Sequence, residues 1–428
     1  MYFNTFLFQF GLDPDNFINE VIEPFESDDG KIIYNLRQRI DIRICPRCGC
    51  VDAEINNYSW TETNFTTNEG RPILIRIKKV RFKCQGCEKT YTPIIKGIER
   101  YSKISKQIET LIIRDFYKQK SFSIIGDGYH LTRSEIIKIF DRNVIHIRKG
   151  QLPAALCIDE IGFKTEDGNY AAIIYDHDKK IITDIIRNRQ IDYLRSYFYS
   201  YSFKERSEVK YFISDLYDGY ATIKKEFFKD AIHIADMFHV IRLLKTEVSK
   251  LRVNTYKQFT DETDIERHFM KQHWDYFEHY LDSKLANKAY YSKKEHFEYT
   301  TWSMMERCLK LNPTFWDAYS CLQDFYEYWR CKTFEQAIKH IESTSQKLKK
   351  TQYEDLMRVA NTLLFWKSEI ANAISVRYID GKRYSNGPAE GLNSSIKTII
   401  KDANGYKNFE RFRKRALLIL RDKKDLPH

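Results

Sequence analysis

Two carboxylates stand inside an apolar run at residues 154–163, AALCIDEIGF. Asp159 and Glu160 follow Ala155, Leu156, Cys157 and Ile158 and precede Ile161 and Phe163. The run predicts a buried strand, where an unpaired carboxylate is costly to desolvate unless a cation or metal offsets it. A second acid, Asp215, ends the strand-like VKYFISD. Asp218 in the same SDLYDGY is a rival, and Asp215 is preferred because it stands at the strand end. Side chains alternate along a strand, so only one of Asp159 and Glu160 can face a common site. Carboxylates converging in this way suit Mg²⁺ or Mn²⁺, both hard cations. Two such ions ~3.5–4 Å apart can activate a nucleophile and stabilise a leaving oxygen in phosphoryl transfer.

A third acid is available in SNGPAEGLNSSIKTIIKDANGYKNFERF. Asn386, Gly387 and Pro388 make a helix entry, with proline tolerated in the first turn. Glu390, Asn393, Ser394 and Lys397 then fall at i, i+3, i+4 and i+7, on one face. Spacing alone leaves open a surface helix with an ordinary acid near its N-terminus.

Four cysteines carry a different chemistry. Cys45 and Cys48 form CPRC, and Cys84 and Cys87 form CQGC. Two C-x-x-C knuckles separated by strand-like sequence are the ligand set of a tetrahedral, structural zinc site. The alternative, two redox pairs or unrelated thiols, is disfavoured in a reducing compartment. Cys50 lies just outside the first knuckle, and Cys157, Cys308, Cys321 and Cys331 have the spacing of packing residues.

The elements that must position these groups can be read from periodicity. RPILIRIKKVRFKC alternates apolar and basic residues and predicts strands entering the second knuckle. ISKQIETLIIRDFYKQK has a helical period. SFSIIGDGYHLTRSEIIKIFDRNV then gives a helix, a glycine-containing turn and a helix capped near Thr132 or Ser134. That is the outline of a helix-turn-helix, with Arg133, Lys138 and Arg142 on or near its exposed side. The alternative is an ordinary helical hairpin with a solvated charged face. From Pro153 the period becomes two, and the order β-β-β-α-β-α-β ends at IHIAD and Asp236. Three antiparallel strands followed by α/β alternation is the layout of a ribonuclease-H-like domain, in which the first and fourth strands are neighbours. Asp159 and Asp215 would then converge. Residues from about 240 to 375 read as nearly all helical, and aromatics such as Trp274, Trp302, Trp316, Trp329 and Trp366 read mostly as their core.

Composition sets the outer bounds. The chain has 428 residues, room for several domains, and 43% are hydrophobic, which excludes global disorder. Lys and Arg number 70 against 59 for Asp and Glu, so 70 − 59 gives a net charge of +11 and points to an anionic partner, nucleic acid first. No run approaches the roughly 20 apolar residues of a membrane span. The N-terminal MYFNTFLFQFGLDPDNF lacks a basic leader and reads as a folded or docking segment, so a cytoplasmic protein is expected.

The motifs taken in order resemble the DDE transposases of the bacterial ISL-three group. The matching pieces are CPRC…RFKCQGC, the helix-turn-helix, CIDEIGFK, FISDLYDGY, IHIADMFHVIRLL and SNGPAEGLNSSIKTIIKDANGYKNFERFRKR. The resemblance implies that Asp159, Asp215 and Glu390 are the catalytic acids, binding Mg²⁺ or Mn²⁺ as a two-ion site. It also matches Asp236 and His239 of ADMFH to a family position where an Asp and a His lie two residues apart near the site, and a structural histidine at a helix start is the alternative. Asn393 and Lys397 would support that site. FERFRKRALLIL reads as a basic amphipathic helix whose Arg411, Arg413, Lys414 and Arg415 could contact phosphate or form a solvated face.

The expected fold is therefore multidomain α+β: an N-terminal segment with a zinc ribbon (1–98), a helix-turn-helix domain (99–150), a first catalytic part (151–245), a helical insertion (246–375) and a second catalytic part (376–428). The expected function is binding of terminal inverted repeats, metal-dependent cleavage and strand transfer to target DNA, by a homodimer or larger assembly on DNA associated with the nucleoid. The rivals are a domesticated, non-catalytic DNA-binding regulator and a nuclease without strand joining. A regulator has no need of buried acids, and only an integration assay separates the nuclease.

Overall fold

The structure, a computed structural model, describes residues 3–421 except 29, 42, 69–70, 97, 99–103, 148, 260–263, 378–380, 382, 385–386 and 404, and gives the backbone alone at 66–68, 71 and 387–390. The chain divides into two compact units. Among the described residues, one comprises those up to 147 with 396–419, the other 149–395 with 420 and 421. The residues expected as a single second catalytic part, 376–428, are thus shared between the units. Among the described residues no helix is long and apolar enough to cross a membrane.

The first unit opens with helix α1 (Phe3–Gln9) and strands β1 (Pro24–Glu26) and β2 (Ile32–Arg37). A long hairpin follows, β3 (Ala53–Asn68) and β4 (Arg71–Cys84), with the short β5 (Thr90–Tyr91) beside its end. The sheet runs β1-β2-β4-β3, β5 also pairing with β4, and β2 lies parallel to β4. The alternation in RPILIRIKKVRF buries Ile73, Ile75 and Ile77 on one face against Phe6, Phe10 and Phe65. The apolar N-terminus is therefore a helix docked on this sheet.

Three helices follow: α2 (Lys106–Asp115), α3 (Phe122–Tyr129) and α4 (Arg133–Asn143). Thr132 caps α4 in a full capping box with Glu135. Between α3 and α4 the chain turns through His130, which is left-handed at φ 53°. Gly126 is required there, because a Cβ would stand 2.3 Å from the Leu131 carbonyl oxygen. Phe116, Phe122, Ile136 and Phe140 form the core of the three helices.

The second unit holds a five-stranded sheet. β6 (Ala155–Thr165), β7 (Gly168–Asp176) and β8 (Ile181–Ile186) are antiparallel neighbours. Helices α5 (Ile191–Tyr199) and α6 (Phe203–Ser207) lead to β9 (Tyr211–Ser214), and α7 (Asp218–Phe227) leads to β10 (Ile232–Ala235). The order is β10-β9-β6-β7-β8, with β9 parallel to both β6 and β10. One sheet face, with Leu156, Ile158, Ala172 and Ile174, packs on Leu194, Phe198, Tyr220 and Ile223 of α5 and α7. Helix α8 (Met237–Tyr256) continues directly from β10.

The region expected as nearly all helical contains α9 (Ile265–Gln272), α10 (Ser283–Ala286), α11 (Thr301–Leu309), α12 (Pro313–Tyr326), α13 (Phe334–Lys350), α14 (Glu354–Phe365) and α15 (Lys367–Ser375). It also contains a two-stranded hairpin, β11 (Ala289–Ser292) and β12 (Phe297–Thr300), which the helical pattern did not announce. Helix α16 (Gly387–Asp402) and helix α17 (Phe409–Leu420) are the last elements among the described residues.

Candidate active site and metal centre

Parallel pairing of β6 with β9 matches Ala155 to Tyr211, Leu156 to Phe212 and Cys157 to Ile213. Continuing this register brings Asp215, the residue after β9, level with Asp159. Asp159 is 8% exposed, and burial above all raises its pKa. Its Oδ1 accepts from the Glu160 backbone N–H at 2.8 Å, and its Oδ2 accepts from Asn393 Nδ2 of α16 at 2.8 Å. The Asn393 carbonyl in turn accepts from the Tyr175 hydroxyl of β7. Glu160 points to the other sheet face and pairs with Arg189. The alternation thus selects Asp159 of the two acids.

Asp215 is mostly buried, and its Oδ1 has no hydrogen-bond partner among the described residues. Burial pushes its pKa up to about 6, with the nearby Glu160 and Asp159 charges adding to the effect. An orphaned, buried, negatively charged oxygen is costly, and that is the situation a divalent ion relieves. The rival Asp218 is exposed at the start of α7.

Asp236 caps α8 through Oδ1, which accepts from the Phe238 N–H at 3.1 Å. Its Oδ2 lies 2.7 Å from His239 Nδ1. This hydrogen bond, with the Asp215 and Asp159 charges contributing, raises the His239 pKa against the effect of burial. His239, Asp215 and Glu247 line one cleft of about 360 Å³. Glu247 is buried, held by Lys250 at 2.7 Å through Oε1, while its Oε2 has no partner among the described residues.

Glu390 belongs to α16, but its side chain lies outside the described residues. On the helix it stands three positions before Asn393, the residue that reaches Asp159. Lys397 is exposed on the same helix. Tyr175 and Glu247 were missed in the sequence. A tyrosine in an apolar strand reads as core, and the only signal at Glu247 is its i+8 spacing from His239.

In the first unit Cys45, Cys48, Cys84 and Cys87 bring their sulfurs within 4.8 Å of one another. They are the only such group of metal-ligating side chains among the described residues. Cys45 and Cys87 sulfurs are 3.8 Å apart, and those of Cys48 and Cys84 are 3.6 Å apart. Tetrahedral Zn–S bonds of ~2.3 Å require sulfurs ~3.8 Å apart, so the donor set fits a structural zinc ion. The backbone N–H of Cys87, with that of Gly86, holds the Cys84 thiol down to about 6, favouring the thiolate that a metal needs. Cys50 stays out of the cluster, its thiol 3.6 Å from the Asp52 carbonyl.

The basic residues fall into two groups. Arg133, Lys138 and Arg142 are exposed on α4, although Arg142 is paired with Glu109 at 2.5 Å and Arg133 donates to the Ala403 carbonyl at 3.3 Å. On α17, Arg411 makes a two-pronged pair with Asp141 at 3.0 and 2.7 Å, Arg413 lies 3.7 Å from Glu410, and Lys414 is half-buried. Arg415 does not lie on an exposed face, which corrects its expected role. It is 1% exposed and donates to the carbonyls of Phe116, Lys118 and Lys120, closing the loop between α2 and α3.

A family described as Transposase, of the DDE type and the ISL-three group, matches residues 156–416. The match covers more than half of the chain, and it runs from the strand of Asp159 to the helix of Arg415. The chain belongs to this family of DNA transposases. No curated protein matches it.

Proposed function

We propose that the chain recognises the terminal inverted repeats of its own insertion sequence, cuts DNA at the element ends and joins the freed ends to a target. In this reading the second unit is a ribonuclease-H-like catalytic domain with a helical insertion. The first unit carries a zinc ribbon and a helix-turn-helix that read the ends, the exposed Arg133 and Lys138 facing DNA. Arg411, Arg413 and Lys414 contribute phosphate contacts by exchanging protein partners for DNA. A dimer or larger assembly acts on DNA, since two ends must be brought together.

The observation that carries the reading is the hydrogen bond from Asn393 to Asp159, because it draws the Glu390 helix to a buried acid that is level with Asp215. Further support comes from the family and from the orphaned oxygen of Asp215. Asp159, Asp215 and Glu390 would hold the divalent ions. Bound there, Mg²⁺ or Mn²⁺ supplies a water nucleophile at neutral pH and charge neutralisation at the leaving oxygen. The chain's own groups do the rest. Asn393 fixes the Asp159 carboxylate, with Tyr175 fixing the amide. Asp236 orients the His239 imidazole and keeps it protonated at higher pH, so that it can offset phosphate charge or give a proton to a departing 3′-oxygen.

The test is incubation of purified protein with DNA carrying the element's ends and a supercoiled target. Joined products with a short target duplication support the reading. Cutting without joining favours a nuclease, and end binding without cutting favours a regulator.

A further inference from the structure

Helix α8 presents one face along most of its length to a cleft of about 840 Å³. Phe238, Arg242, Lys245 and Ser249 line it, at i, i+4, i+7 and i+11 of the helix. Tyr326 and Tyr353 line it from α12 and from the residue before α14. This cleft and the smaller one that holds Asp215 and His239 share two residues, Arg242 and Thr246. The two therefore adjoin at these residues.

The lining carries unused charge. Neither Arg242 nor Lys245 has an ion-pair partner among the described residues. Lys250, further along the helix, is already paired with Glu247. Two acids, Glu278 and Asp355, also line the cleft, and Asp355 is paired with Arg358 at 3.1 Å. Phe238 is 55% exposed, next to the residue that Asp236 holds. An exposed ring beside free cations is a mixed surface, apolar for a base face and positive for a phosphate. The volume is that of a small-ligand pocket and too small for a duplex.

We infer that this groove binds an unpaired DNA strand leading to the acids, its phosphates on Arg242 and Lys245 and a base stacked on Phe238. The inference rests on the transposase reading, and it adds that the DNA at the reacting end is locally single-stranded. The sugar-phosphate chain enters over Lys245, passes Arg242 and reaches the cleft of Asp215 and His239.

The experiment uses the full chain and a fluorescein-labelled single-stranded oligodeoxynucleotide, titrated without divalent metal at several salt concentrations. The double variant Arg242→Ala with Lys245→Ala should bind about tenfold more weakly. Its slope of log K against log salt should be shallower by about 1.4, at roughly 0.7 per lost contact to a single strand. Phe238→Ala should weaken binding about fivefold with the slope unchanged, because stacking releases no counterions. Lys339→Ala, exposed on α13 outside the groove, should change neither. Unchanged affinity and slope in the double variant, with an unchanged thermal melt, would overturn the groove, as would an equal loss in Lys339→Ala. Asp215→Asn, assayed alongside for cleavage of end-containing DNA, separates the two readings. If it still cuts while the double variant loses binding, the acid site is wrong and the groove stands. If it stops cutting while the double variant binds normally, the groove is wrong and the acid site stands.

Discussion

Asn393 donates its amide to Asp159 at 2.8 Å, joining residues 234 positions apart in sequence. An ionised carboxylate can only accept, so the NH₂ side of the amide must face Asp159. The amide carbonyl is left for Tyr175, whose hydroxyl donates to it. This chain of two bonds sets the direction of the Asp159 oxygens.

Removing the amide should therefore damage catalysis more than binding. Asn393→Ala should lower the cleavage rate about 10- to 100-fold, the usual cost of losing a partner that orients a metal ligand. Tyr175→Phe should cost less, about tenfold or under, since the amide remains. Asn393→Asp should be the worst of the three, because it sets a second negative charge against Asp159. Single-turnover cleavage with protein in excess over end DNA measures this. Normal rates in Asn393→Ala would show that the bond does not position the acid.

The raised pKa of Asp215 fixes the sign of a stability effect. A folded-state value of about 6 lies above the ordinary carboxylate value, so the folded protein holds this proton more tightly than the unfolded chain. The associated stability is present below about pH 4 and is lost as pH rises through about 6. Asp215→Asn removes that loss. The metal-free variant should be more stable than wild type near neutral pH, by at most about 3 kcal/mol, and equal to it near pH 4. Denaturant unfolding at both pH values checks this, and a variant less stable at neutral pH would contradict it.

For the cysteine cluster, purified protein that has met no chelator should contain about one zinc ion per chain, because four protein ligands close the site. Cys45→Ser or Cys87→Ser should lose the metal, unfold the ribbon and weaken end-specific binding. Atomic absorption beside a binding assay reads both. Metal-free protein with full binding would refute the assignment.

Arg415 should matter to the fold alone. Arg415→Met leaves three carbonyls between α2 and α3 without their donor and should cost roughly 3 kcal/mol of stability. Lys414→Ala, one position earlier, should leave the melt unchanged and lower DNA affinity slightly. Equal effects of the two on stability would argue against the buried clamp.

Much of the second unit was legible because strands with one or two buried faces write their period into the sequence. ALCIDEIGF, YAAIIYD and VKYFISD each became a strand, with Asp159 inside the first and Asp215 just past the end of the last. The capping box of Thr132 and Glu135 is a local code, so the start of α4 could be narrowed to Thr132 or Ser134, and Thr132 is the cap. The hairpin β11–β12 could not, since AYYS and FEYT are short, partly exposed and flanked by helices. Arg415 was misread for a different reason. An arginine on an amphipathic helix defaults to solvent, and only the tertiary structure reveals three carbonyls waiting for it. Long-range partners such as Tyr175 for Asn393 leave no local trace at all.

The most direct measurement of the central claim is cleavage and strand joining by Asp159→Asn on end-containing DNA with Mg²⁺ or Mn²⁺, run beside an end-binding assay. The substitution keeps size and shape, and it removes the charge that holds a divalent ion. The metal-site account predicts that cutting and joining are both abolished while end binding persists. It predicts the same for Asp215→Asn and Glu390→Gln, with no additive loss when they are combined, because the three act as a unit. Glu160→Gln, on the opposite sheet face, should be far milder. Cutting by Asp159→Asn at the wild-type rate would contradict the account.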